Sequence, residues 1–94
     1  MTPRDEFSPY AKTIQGKRIY VYPNDHPPPH AHVRLDDGRD GIILFDLRSG
    51  DPLPGSYTRR ALREWQALRP HVVEFLEEMR TAFDRFNPPR EVSP

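Results

Sequence analysis

The stretch that most constrains this chain is Asp25-His26-Pro27-Pro28-Pro29-His30-Ala31-His32-Val33. A residue that precedes proline is pushed out of the α region, so His26, Pro27 and Pro28 are extended. Polyproline II rises about 3.1 Å per residue, which puts His26 and His30 roughly 12 Å apart at Cα if every prolyl bond is trans. That separation strains a metal site shared by the two, and a cis bond would shorten it. His30 and His32 are placed differently. At i and i+2 of a strand they share a face, about 6.6 Å apart at Cα, and two imidazoles so placed can reach one ion.

Two histidines do not complete a zinc site, which takes three or four protein ligands and accepts a carboxylate as one of them. Asp25, His26, Asp46 and His71 are the available additions. Arg34 lies on the same strand face as His30 and His32. It counts against a cation there and for an anion such as phosphate. Imidazole titrates near neutral pH, so His30 and His32 also qualify as acid–base groups. His32 with Arg34 would supply the general base and the cation of a metal-free, ribonuclease-like site. The candidate catalytic residues are thus His30, His32 and Arg34. The candidate metal ligands are His30 and His32, with a divalent transition metal such as zinc as the cofactor. A rigid structural turn with packed histidines is the plainer alternative.

The rest of the chain divides by hydrophobic period. Tyr10–Ile14 is a short strand candidate, and Gln15-Gly16 supplies a two-residue turn. Lys17–Tyr22 is aromatic and β-branched, with Ile19 and Val21 on one face and Tyr20 and Tyr22 on the other. In His30–Leu35, Ala31, Val33 and Leu35 share the face opposite His30, His32 and Arg34. Asp36-Asp37-Gly38 signals a hairpin. The apolar run at Ile42, Ile43, Leu44 and Phe45 suits a strand covered on both faces. Ser49–Gly55 breaks the chain. Beyond it Leu62, Trp65, Val72, Leu76, Met79, Phe83 and Phe86 recur at helical steps, with Ser56 or Thr58 able to cap the start. Pro70 divides this region into helices near Thr58–Leu68 and Pro70–Phe86, or kinks a single helix. The expected fold is α+β: a three- or four-stranded antiparallel sheet, then two helices or one kinked helix packed on one face. Residues 10–86 form the single domain, flanked by frayed tails at 1–9 and 87–94.

Composition excludes several classes. The chain has 94 residues, no cysteine, and 14 basic against 14 acidic side chains. Disulfide scaffolds, thiolate nucleophiles and cysteine-based metal sites are ruled out. Net charge points neither to nucleic acid nor to a membrane. No apolar run approaches the roughly 20 residues of a membrane span, and the N-terminus has no signal-peptide core, so a cytoplasmic protein is expected. Twelve prolines are an excess, but most sit in the tails or between elements. A basic cluster, Arg59, Arg60 and Arg63, stacks along a helix and could track a phosphate backbone, or be an ordinary solvated face. Tyr20, Tyr22 and Trp65 could stack on bases, although such residues are more often core or interface. Asp25, His26, Arg59, Arg60 and Arg63 are the candidate binding residues.

Gly16-Lys17-Arg18-Ile19-Tyr20-Val21-Tyr22 followed by Asn24-Asp25-His26-Pro27-Pro28-Pro29-His30-Ala31-His32-Val33 resembles a small bacterial family, domain-of-unknown-function family 4160. Its hallmark is a glycine, a strand, then DH-x-PPH-x-HV, and every fixed position is present. The opening of the helix at Tyr57-Thr58-Arg59-Arg60-Ala61-Leu62 resembles the family more loosely. Such genes often neighbour one of domain-of-unknown-function family 2442, in an arrangement that looks like a toxin–antitoxin pair. The resemblance therefore implies a toxin-like component of a toxin–antitoxin or stress module. It would act on RNA, or bind an antitoxin-like partner, through Asp25–Arg34. Two alternatives stay open: a metal-binding domain or metal-dependent hydrolase using His30 and His32, and a non-enzymatic interaction module. A homodimer that covers the histidine face is compatible with each.

Overall fold

A computed structural model describes residues 10–22, 28–36 and 39–86. Strands β1 (Tyr10–Ile14), β2 (Lys17–Val21), β3 (His30–Arg34) and β4 (Ile42–Asp46) form one antiparallel sheet in sequential order. Helices α1 (Arg59–Val72) and α2 (Leu76–Phe86) follow. The α+β architecture expected from the sequence is present, with four strands. The segments read as tails, together with Asp25 and His26, lie outside the described residues.

The β1–β2 hairpin closes at Gln15-Gly16, with φ of 51° and 77°. Positive φ at both central residues is the type I′ pattern, whose twist matches that of paired strands. Gly16 adopts it without strain; Gln15 does not. The register pairs Ile19 with Val33 and Tyr20 with His32, then Val33 with Ile43 and Ala31 with Phe45. One face of the sheet therefore carries Ile19, Val21, Ala31, Val33, Leu35, Ile43 and Phe45, all buried.

The two helices cover that face. α1 crosses β4 and β1, and α2 crosses β2 and β3. Thr58 caps α1 from an extended conformation, its Oγ1 accepting the Ala61 N–H at 3.0 Å. Of the two capping candidates, Thr58 is the one used. From this start Ala61, Trp65, Leu68 and Val72 point inward, and Trp65 stacks on Phe45 with centroids 4.4 Å apart. Leu62, expected among the core residues, lies one residue off this line and is 36% exposed. On α2, Leu76, Met79 and Phe83 are buried. Tyr10 and Lys12 reach from β1 to Glu78, with the Lys12 ammonium 4.3 Å from the Phe75 ring centroid.

Pro70 does not divide the helices. The chain stays helical through it and tightens three residues later into a 3₁₀ turn, Val73–Phe75. Pro70 lacks the N–H that would reach the Gln66 carbonyl and its ring crowds that carbonyl. The apolar stripe nevertheless holds both halves against the sheet. The kinked single helix is the arrangement adopted.

A knot of hydrogen bonds joins the layers. The Leu35 and Asp36 N–H groups both donate to the Gly41 carbonyl, at 2.8 and 3.2 Å, and the Thr58 N–H donates to the Asp40 carbonyl at 3.0 Å. Thr58 Oγ1 also donates to Asp36 Oδ2 at 3.0 Å. The β3–β4 connection is therefore wider than a two-residue hairpin and includes a 3₁₀ turn, Arg39–Gly41. Gly41 packs so closely that a Cβ would overlap the Asp36 backbone carbonyl.

Gly41→Ala is expected to lower stability by about 2 kcal/mol through this overlap. Gln15→Asn should raise it by about 0.5 kcal/mol by relieving the left-handed strain. Urea unfolding at constant m-value checks both.

Candidate functional site

The face of the sheet turned away from the helices carries, by alternation, Arg18, Tyr20 and Tyr22 from β2 and its end, His30, His32 and Arg34 from β3, and Ile42, Leu44 and Asp46 from β4. Ile42 and Leu44 are only half-buried and Tyr22 and Arg34 are exposed. The continuous apolar run of β4 thus has one covered face, not the two expected from its sequence. Helix packing accounts for Ile43 and Phe45. Ile42 and Leu44 alternate with them to the other face and are half-buried there.

The rings on this face form a ladder. Tyr20 and Tyr22 stack with centroids 5.7 Å apart and planes 17° from parallel. Tyr22 meets His32 edge-on at 4.8 Å. His32 lies 5.2 Å from His30, and His30 lies 6.0 Å from Phe83 of α2. Neighbouring strands fix the order, because Tyr20 is the register partner of His32.

His30 departs from the expected open placement. It is 5% exposed, and its Nδ1 is 2.8 Å from the Pro28 carbonyl. A carbonyl only accepts, so Nδ1 carries a proton and donates it to Pro28. This bond and the Phe83 ring turn the imidazole inward at the start of β3. His30 therefore stands behind His32. His32 and Arg34 line a surface depression of about 280 Å3 with Tyr20, Tyr22, Val33 and Ile42.

The additions considered for a metal site are dispersed. Asp46 is the register partner of His30, but its carboxylate accepts from the Arg48 backbone N–H at 2.7 Å and from the Arg48 guanidinium at 3.3 and 3.1 Å. These bonds hold the Asp46 carboxyl below its ordinary range, chiefly through the guanidinium. His71 lines a different cavity, of about 230 Å3, with Gln15, Lys17, Leu35, Glu64 and Leu68. Among the described residues no three His, Asp or Glu side chains converge on a common point. Asp25 and His26 fall outside the described residues.

The basic cluster is also separate from the histidines. Arg59 and Arg63 are exposed on α1. Arg60 Nε is 3.4 Å from Glu64, and Arg60 Nη1 is 4.0 Å from Asp36. Since α1 covers the opposite face of the sheet, both layers stand between these arginines and His32. Sequence reasoning singled out Tyr20, Tyr22, His32 and Arg34, but not Ile42 and Leu44 as their companions. The absence of any polar residue in the run from Ile42 to Phe45 conceals which pair faces outward.

Residues 16–79 match the family described as a domain of unknown function, DUF4160. The chain belongs to DUF4160. The matched DUF4160 segment starts at the turn glycine Gly16 and takes in β2, β3, β4, α1 and the first residues of α2. It contains every member of the ring ladder except Phe83. Searches of curated proteins and of solved structures each found no match. No helix among the described residues is long and apolar enough to cross a membrane.

The Asp46–Arg48 contact has a pH signature. Because the folded value of Asp46 is lowered from 3.8, its contribution is fully present above that pH and is lost as pH falls through the depressed value. Asp46→Asn should therefore destabilise the protein at pH 7 and converge with the wild type near pH 2, as followed by urea midpoints across that range. His30→Ala is expected to cost about 2 kcal/mol from the lost Pro28 bond and packing, whereas His30→Asn, which returns a donor near the Nδ1 position, should recover part of it in the same assay.

Proposed function

We propose that this protein is the toxin-like component of a bacterial toxin–antitoxin or stress module, acting in the cytoplasm through RNA held on the open face of its sheet. The observation that carries the reading is the Tyr20–Tyr22 stack, with His32 edge-on to Tyr22, flanked by exposed Arg18 and Arg34. Aromatic rings give bases a stacking platform with little regard to sequence, and arginines contact the phosphates. The one described carboxylate on this face, Asp46, is bonded by Arg48, so it adds little repulsion. In this reading the half-buried His32 is the acid–base group, with the His30 ring packed beside it at 5.2 Å. Arg59, Arg60 and Arg63 are left to a separate surface contact, such as an antitoxin-like partner.

A metal-binding role for His30 and His32 is favoured by one observation, the 5.2 Å spacing of their rings. It requires further ligands from Asp25 or His26. Elemental analysis of the purified protein would remove it by finding no stoichiometric zinc, nickel, manganese or iron.

The RNA reading is tested with fluorescently labelled single-stranded RNA and with induced expression in a bacterial host. Binding that weakens with salt, with a slope in log units of about −1 to −2 for two phosphate contacts, is expected. Tyr22→Ala should weaken it roughly tenfold. Growth arrest should be relieved by His32→Ala. Absence of both RNA binding and a growth defect would sink the reading.

A further inference from the structure

The outward side of the kinked helix carries a charged stripe that the RNA reading does not use. We infer that this stripe is self-complementary and pairs the protein with a second copy of itself. Burial of Ala61, Trp65, Leu68, Val72, Leu76 and Met79 against the sheet fixes which side of the helix looks outward. On that side Arg59, Arg63, Pro70, Val73, Glu77 and Asp84 follow one another at three- and four-residue steps or their sums. All six are exposed. The stripe is basic at its start, apolar in its middle and acidic at its end. Among the described residues Val73, at 47% exposed, is the most open large apolar side chain.

The order of the stripe is symmetric. Pro70 and Val73 flank a midpoint from which Arg59 and Asp84 are equally distant, about 19 Å each at the helical rise per residue. A second copy laid antiparallel about a two-fold axis through that midpoint sets Val73 on Pro70 of the other copy. The same operation brings Arg59 to Asp84, and Arg63 within one turn of Glu77. Each contact occurs twice, as an isologous interface requires. A parallel arrangement would set arginine against arginine and carboxylate against carboxylate, so charge selects the antiparallel one. Arg60 and Glu64 pair with each other within α1 and lie to one side of the stripe. The surface left to Arg59 and Arg63 thus finds its complement within the chain itself. Because the helices cover the other face of the sheet, the tyrosines and His32 of both copies stay on the outer sides of such a dimer. The inference is therefore independent of RNA binding.

The test is sedimentation velocity of the full chain across a dilution series. A narrow, charged stripe predicts a weak dimer, with a Kd of about 10–100 μM at low salt, that dissociates as salt is raised to about 0.5 M. Asp84→Arg should weaken the dimer at least about tenfold, and Arg59→Asp likewise, because each places like charges together at two symmetric points. The double variant restores the pair with its signs exchanged, and should return to within about threefold of the wild type. The first turn of α1 holds no acidic residue. An acid at the start of the helix and a base near its end both favour it, so loss of the dimer does not reflect unfolding, which circular dichroism verifies. Val73→Asp should abolish the dimer outright. A protein that stays monomeric throughout the series overturns the inference. So does a dimer indifferent to these substitutions, and so does one that Tyr22→Ala dissociates, which would assign the contact to the open face of the sheet. RNA binding is read separately by anisotropy, and neither result decides the other.

Discussion

The two layers of this protein are registered by one small knot of hydrogen bonds. Asp36 follows β3, Gly41 precedes β4, and Thr58 caps the start of α1. The Gly41 carbonyl takes two N–H groups, while Thr58 uses its hydroxyl both to cap the helix and to reach the Asp36 carboxylate. These bonds are individually worth about 1 kcal/mol. Their importance is geometric. They set the rotation of α1 about its axis, which decides that Ala61 and Trp65, rather than Leu62, meet the sheet. Everything else about the core follows from that phase.

Burying one face of the sheet creates the other. Alternation along β2, β3 and β4 sends each apolar residue to the helices and its neighbours outward, so the positions that build the core also assemble the tyrosines, His32 and Arg34. The Pro–His segment delivers β3 into this arrangement. The Pro28 carbonyl accepts from His30 Nδ1, so the residue that begins the strand is fastened to the proline run before it. His30 becomes a buried strut at the start of the strand, and His32 is the imidazole that lines the depression.

Much of this was legible in the sequence, for physical reasons that differ by element. Ile19, Val21, Ala31, Val33 and Leu35 announced their face through strict period-two alternation, and the Gln15-Gly16 turn through glycine's freedom at positive φ. The β4 run was ambiguous because Ile42, Ile43, Leu44 and Phe45 are all apolar, and the chain alone does not say which pair is covered. Pro70 looked like a boundary because proline removes a helical bond. Packing of the stripe on both sides outweighed that loss and moved the irregularity to Val73–Phe75. The site was half legible. Shared orientation of His32 and Arg34 follows from parity, but burial of His30 depends on Phe83, fifty-three positions away in the chain. No local pattern encodes that contact.

The Phe45–Trp65 stack has a spectroscopic consequence. Trp65 is the single tryptophan, is 2% exposed, and sits where helix and sheet meet. Its emission is therefore an optical gauge of layer docking, blue-shifted when the helix is seated and red-shifted when it lifts away. Tyr20 and Tyr22 occupy the opposite side of the sheet, whereas Tyr10 and Tyr57 pack against the core. Selective excitation of Trp65 thus reads the integrity of the core without contribution from the rings of the open face.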